Sequence, residues 1–121
     1  MNFLISDFEE NTVHIEVIDF LIKLQSQWTQ VKMEYVSGQN NGFRVRWELE
    51  INGNSLLGGV HQNLQGVSIE GQFEAIANFA VWFRHLIPFN QKLFLYDEGF
   101  NNHAELFENT TTSELLIYLQ S

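Results

Sequence analysis

The sequence predicts an α+β fold, a two-layer sandwich in which an antiparallel sheet carries helices on one face. Residues 43–51 alternate apolar and charged side chains, which is the period of a strand with one buried face. Four strand-like segments follow one another without a helix between them, and two long amphipathic segments flank them. The expected order is α-β-β-β-β-α-β-β-α, a four-strand meander followed by a C-terminal hairpin, in a single domain spanning residues 1–121.

Local patterns predict the first elements. Phe3-Leu4-Ile5 predicts either a short edge strand or an arm packed on the core. A helix is expected from Asn11 or Thr12, either of which is a good N-cap, to about Trp28. Apolar residues at helical spacing predict its core-facing stripe, namely Val17, Leu21, Leu24 and Trp28. Ile15, Ile18 and Ile22 are expected to widen this stripe. Asp19 and Lys23, four residues apart, predict an ion pair on the polar side.

Alternation and turn residues predict the meander. A strand at 31–35 leads through a loop into the strand at 43–51. Asn52-Gly53 then predicts a type I′ hairpin turn, because both central positions of that turn need positive φ. Gly58-Gly59 in the return strand, 55–61, predicts a bulge or the close approach of another element, and a fourth strand is expected at 64–70.

The C-terminal third is predicted to contain two helices around a hairpin. Apolar residues recur at helical spacing between Gly71 and Pro88, and the proline ends that helix. Strands are expected at 93–96 and 103–107, on either side of a loop at 97–102. Thr111-Thr112-Ser113-Glu114 matches a capping box and predicts a short terminal helix.

Composition excludes several classes of function. Six Lys and Arg against fifteen Asp and Glu give a formal charge of −9, so nucleic acid is not expected as a partner. The chain has no cysteine, which excludes disulfides and thiolate chemistry. The N-terminal residues do not read as a secretory signal, and no apolar run is long enough to cross a bilayer. These features predict a cytoplasmic protein that does not contact a membrane.

No catalytic or metal-binding motif is present. His14, His61, His85 and His103 lack the spacing of a zinc site, so neither a metal nor a cofactor is expected. A nucleophile elbow and a phosphate-binding loop are also missing, and the chain is therefore not predicted to be an enzyme.

The C-terminal hairpin is the predicted partner-binding surface. Lys92 is the last basic residue of the chain, and acidic residues follow it. Aromatic side chains next to carboxylates suit a protein interface, where rings anchor and charges steer. The predicted partner-binding residues are Asp97, Glu98, Phe100, His103, Glu105 and Glu108. A solvated polar face is the alternative interpretation of the same residues.

The C-terminal half resembles that of small bacterial proteins of an uncharacterised family over the segment FEAIANFAVWFRHLIPFNQKLFLYDEGFNNHAELFENTTTSEL. In these proteins a helix ending near a proline leads to a strand, a Tyr-Asp-Glu-Gly loop, a second strand and a Thr-rich cap. The whole chain, being small, acidic, cysteine-free and α+β, also resembles immunity proteins of bacterial toxin systems. This resemblance implies a non-enzymatic protein that neutralises a basic toxin partner.

Two further hypotheses remain open from the residues alone. One is a small-ligand-binding domain or enzyme with a pocket between sheet and helices, around His61, Trp47 and His103. The other is a homodimer formed through the sheet face that carries Arg44, Arg46, Glu48 and Glu50, because a two-fold contact sets the arginines of one copy against the glutamates of the other.

Overall fold

The structure, a computed structural model, describes residues 2–7, 13–35, 42–99 and 103–120. Within these residues the helices are α1 (Val17–Gln27), α2 (Phe73–Arg84) and α3 (Thr112–Gln120). The strands are β1 (Asn2–Ser6), β2 (Lys32–Tyr35), β3 (Phe43–Ile51), β4 (Asn54–His61), β5 (Gly66–Gly71), β6 (Phe94–Asp97) and β7 (His103–Glu105).

All of these strands belong to one antiparallel sheet with the order β2-β3-β4-β5-β1-β6-β7. The predicted α+β class and antiparallel sheet are confirmed. The predicted element order is incomplete, because Phe3-Leu4-Ile5 forms neither an edge strand nor an arm. It lies in β1, which pairs with β5 on one side and with β6 on the other. This central strand therefore joins the meander to the C-terminal hairpin.

The turn between β3 and β4 fixes the register of the meander. Asn52 and Gly53 have φ values of 51° and 82°, as the predicted type I′ turn requires. With two residues in the turn, Ile51 pairs with Asn54 and Glu48 pairs with Leu57. A slip by one residue would exchange the two faces of β4, so this turn decides which side chains are buried.

An aromatic cluster attaches α1 and α2 to the face of the sheet that carries Trp47, which we call the core face. The Trp47 ring lies 5.2 Å from the ring of Phe20 on α1 and 5.6 Å from that of Phe79 on α2, between centroids. Trp47 also lies directly on Gly58, where an added Cβ would overlap its indole ring. The predicted close approach at the glycine pair is therefore made by an aromatic side chain.

Helix α1 is shorter than predicted and buries a narrower stripe. Asn11 and Thr12 lie outside the described residues, and the helix begins at Val17. The expectation that Ile18 and Ile22 widen the buried stripe is wrong, since they are 64% and 58% exposed. At 100° per residue they lie roughly 110–150° from the centre of the stripe formed by the buried residues Phe20, Leu21 and Leu24. The predicted pair Asp19 and Lys23 is confirmed at 3.0 Å.

Side-chain hydrogen bonds hold the start of α3 and the turn that follows α2. At α3 the predicted capping box is confirmed: the Glu114 backbone N–H donates to Thr111 Oγ1 at 3.1 Å, and the Thr111 N–H donates to Glu114 Oε1 at 3.2 Å. At the end of α2 the buried Arg84 guanidinium donates to the carbonyls of Ile87, Pro88, Gln91 and Leu106 at 2.7 to 3.3 Å. Arg84 thereby ties the turn after α2 to the residue that follows β7.

Replacing Gly58 with alanine is expected to destabilise the fold by roughly 1–3 kcal/mol, because the new methyl group forces the Trp47 ring out of its place. Urea denaturation measures the change, with the exposed Ser55→Ala on the same strand as control. The double variant Trp47→Phe and Gly58→Ala should lose less stability than the two single changes added together. Additive losses would show that the two residues do not share this contact.

Candidate functional site

The second face of the sheet, here called the open face, carries Arg46 and is rich in exposed charges. The aromatic contacts of α1 and α2 lie on the core face, where Val45, Trp47 and Leu49 of β3 are buried. Alternate positions on β3, β4 and β5 point the other way and are exposed, namely Arg46, Glu48, Leu57 and Glu70. The open face is therefore exposed on β3, β4 and β5, whereas Ser6 of β1 and Tyr96 of β6 are buried on the same face.

A β-bulge in β3 moves one aromatic side chain onto this face. The register shifts between Phe43 and Val45, so that Phe43 pairs with His61 while Val45 pairs with Val60. Neighbouring residues of β4 point to opposite faces, so Phe43 lies on the open face. Strict alternation along β3 had predicted that Phe43 and Val45 share the core face. Its ring lies over Gly59, where an added Cβ would come within 2.6 Å of Cδ1.

The open face contains a concave depression of about 750 Å³, which we call the trough. Its walls carry the carboxylates of Glu34, Glu48, Glu70 and Glu98 and the cations of Lys32 and Arg46. Apolar contact area comes from Phe43 and from Leu57, which is 44% exposed. The trough is thus a partly apolar surface with an excess of negative charge.

The two cations sit on one side of the trough. The register places Lys32 opposite Glu48 and Arg46 opposite Glu34. Arg46 stacks on the Phe43 ring, with its guanidinium carbon 5.2 Å from the ring centroid. Among the described residues an ion pair at 3.0 Å joins Asp19 and Lys23, and none within 4 Å joins a trough carboxylate to Lys32 or Arg46.

The other side of the trough has uncompensated negative charge. The cross-strand neighbours of Glu70 are Leu57 and Asn2, both neutral. Glu98 follows directly after β6 and lines the same depression. Negative potential is therefore strongest where β5, β1 and the end of β6 meet.

His61 and Ser68 form a hydrogen-bonded pair at one end of the trough. The distance between His61 Nε2 and Ser68 Oγ is 2.8 Å, and the imidazole ring lies 6.0 Å from the Phe43 ring. Burial lowers the pKa of His61 below its ordinary value of 6.5. The imidazole is therefore neutral at neutral pH and adds no positive charge to the trough.

The predicted partner-binding residues do not form one cluster. Asp97 pairs with Phe3, a core residue, and so points to the core face, where burial and then the Asp97 charge raise the pKa of Tyr118. Glu98 lines the trough. His103 lies on the edge strand β7 with its ring 5.9 Å from that of Phe94. Phe100 lies outside the described residues.

Glu105 and Glu108 come together in a second, smaller groove of about 430 Å³. The exposed rings of Phe89 and Phe107 line it beside Lys92 and Arg84. Burial lowers the pKa of Arg84, and the charge of Glu105 opposes that shift. The two carboxylates of this groove thus face two cations, which leaves it with little net charge.

The structure also separates the residues of the predicted ligand pocket. Trp47 lies on the core face, whereas His61 lies on the open face beside Phe43. His103 is on the open face as well, but β4 and β7 are four strand spacings apart in the sheet, or about 19 Å. These three residues therefore do not line a common pocket.

Comparison with protein-family models, with curated proteins and with solved structures finds no match to this chain. Among the helices of the described ranges, none is long and apolar enough to cross a membrane. In the same part of the chain no three His, Asp or Glu residues converge in a way that could hold a metal ion.

Sequence reasoning did not identify Leu57 and Glu70 as site residues. One informative pattern was available: a two-residue Asn-Gly turn sets Glu48 opposite Leu57 and places both on the face of the charged row. The position of Glu70 depends on the pairing of β4 with β5, whose connecting turn includes Leu64 at a φ of 62°. That connection has no strong sequence pattern, so the pairing of Leu57 with Glu70 was not predictable.

His61 is expected to make the fold less stable at mildly acidic pH. Its folded-state pKa lies below the unfolded value, so the unfolded chain takes up a proton more readily as the pH falls through about 6.5. The resulting loss of stability stops once the pH is below the folded-state pKa. His61→Gln should remove this contribution and leave a shallower decline, measured as the free energy of unfolding at a series of pH values. The exposed His14→Gln is the control. An unchanged pH dependence in His61→Gln would contradict the assignment.

Proposed function

We propose that this chain is a non-enzymatic, acidic protein-interaction domain that binds a basic protein partner on the open face. The trough carries this proposal, because it combines four carboxylates and two cations with exposed apolar surface on an otherwise regular sheet. In the proposed architecture, a two-layer sandwich, the helices cover the core face and leave the other face to the partner.

The charge of the whole chain supports a basic partner. A formal charge of −9 attracts positively charged proteins over distances of about a Debye length and raises their association rate. Contact then depends on local features, since aromatic and aliphatic side chains at the centre of an interface supply most of the affinity. Phe43 and the half-exposed Leu57 offer that surface within the acidic rim.

The most concrete version of this function is a bacterial, cytoplasmic immunity protein. It neutralises a basic toxin by covering the toxin's positively charged surface, so that the toxin's own target is excluded. Glu98 belongs to the trough directly, whereas Glu105 and Glu108 line the smaller groove beside Lys92 and Arg84 and offer the partner a second, nearly neutral contact. Asp97 acts at longer range through its charge.

A homodimer through Arg44, Arg46, Glu48 and Glu50 would occupy the same face. Two copies of a trough with more carboxylates than cations repel each other, which favours a basic partner over a second copy. The enzyme or small-ligand hypothesis loses its proposed pocket, since Trp47 and His61 lie on opposite faces. The hydrogen bond between His61 and Ser68 links β4 to β5 on the open face and needs no catalytic explanation.

Native mass spectrometry of the chain with the product of the neighbouring gene tests the proposal. We expect a heteromeric complex that dissociates as salt is raised. Glu48→Gln, Glu70→Gln and Glu98→Gln combined should weaken it roughly tenfold or more, because three charge contacts at an interface are lost. The exposed Glu16→Gln, before α1, is the control for the loss of a charge outside the trough.

A second variant locates the interface. If Glu105→Gln with Glu108→Gln weakens the complex and the trough variant does not, the partner binds at the C-terminal groove. A chain that remains a monomer or homodimer with the neighbouring product would contradict the proposal.

A further inference from the structure

The sheet register places three of the four trough carboxylates in one row that crosses the strands and has Lys32 of β2 at its first position, opposite Glu48. Glu48 pairs with Leu57, Leu57 pairs with Glu70, and Glu70 pairs with Asn2. Glu98 continues this row, because it follows Asp97, and Asp97 pairs with Phe3 next to Asn2. Carboxylates therefore occur on β3, on β5 and directly after β6, with a neutral residue on the strand between each two.

This row has a regular spacing. Neighbouring strands lie about 4.8 Å apart, so carboxylates on every second strand are spaced by about 9.6 Å. A polyproline II segment has three residues per turn and rises about 3.1 Å per residue, which brings every third side chain to one face at intervals of about 9.3 Å. A partner in β conformation would present side chains at intervals of about 6.7 Å, out of step with the row.

The floor of the row suits an extended segment rather than a helix. Leu57 is half exposed between Glu48 and Glu70 and offers an apolar contact for proline or alanine. The neighbouring row, one side-chain repeat along the strands, contains Arg46 opposite Glu34. A helix about 10 Å wide lying on the carboxylate row would cover Arg46 and bring its own basic residues close to that cation. A narrow extended segment that runs from Glu48 toward Glu98 stays clear of Arg46 and leads away from Lys32, the neighbour of Glu48 on β2.

We infer that the trough takes an extended, proline-containing segment of the partner that carries Lys or Arg at every third position. The basic side chains lie over Glu48, Glu70 and Glu98, and the intervening residues pack on Leu57 and the strand backbone. Such a segment is already close to its bound conformation, so it loses little conformational entropy on binding. This inference rests on the proposed function, because it specifies what the basic partner presents to the open face.

Fluorescence anisotropy with labelled synthetic peptides tests the spacing. The probes have equal length and lysine content: repeats of Lys-Pro-Ala, a peptide with the lysines at every second position, one with all lysines contiguous, and an alanine-rich helix with lysines seven apart. At low ionic strength the Lys-Pro-Ala peptide should bind about tenfold more tightly than the others, since it alone aligns several charge pairs at once. Glu70→Gln should remove most of that preference, whereas Glu16→Gln should not.

The outcomes separate this inference from the function on which it rests. If all peptides bind equally, or if another peptide binds more tightly than Lys-Pro-Ala, the inference of an extended segment with this spacing is wrong. If Glu70→Gln then weakens all peptides by the same factor, a basic ligand still binds in the trough. If Glu70→Gln changes the binding of no peptide, the trough is not the binding surface and the proposed function fails as well.

Discussion

The contact of Trp47 with Gly58 sets the arrangement of the whole molecule. An indole ring can lie flat on the neighbouring strand only where that strand has no side chain, and Gly58 provides this position. The ring then presents its outer side to Phe20 of α1 and Phe79 of α2, so both helices pack at the same point of the sheet. Trp47 Nε1 is buried and has no hydrogen-bond acceptor among the described residues, at a cost of about 1–3 kcal/mol that the aromatic packing must exceed.

The shape of the open face follows from a second aromatic residue on the next glycine. The bulge after Phe43 turns that ring away from the core and onto Gly59, beside His61 and under Arg46. The ring closes one end of the trough and holds one of its two cations. The rest of the trough is open to Glu70 and Glu98, and this asymmetry gives the open face a definite acidic side.

Local sequence patterns predicted the elements well and their long-range arrangement poorly. The alternation in β3, the Asn52-Gly53 turn and the capping box at Thr111 are short-range features, and the structure confirms each of them. The central position of β1 depends on pairing with segments sixty or more residues away, which a run of three apolar residues cannot specify. The charged row of β3 has two arginines and two glutamates and is neutral in sum, whereas the other glutamates of the trough come from β2, β5 and the end of β6. The acidic site was consequently predicted at the hairpin, of which Glu98 alone lines the trough.

The central claim is that packing on Trp47 buries one face of the sheet and leaves the other face accessible to a basic ligand on β3, β4 and β5. Leu56 and Leu57 test it most directly, because they are neighbours on β4 that point to opposite faces, with exposures of 0% and 44%. Methyl NMR spectra recorded with a soluble paramagnetic agent should show strong broadening of the Leu57 methyl signals and none for Leu56. Adding the Lys-Pro-Ala peptide should then protect Leu57. Protection of both residues in the free chain, or broadening of Leu57 that the peptide leaves unchanged, would contradict the claim.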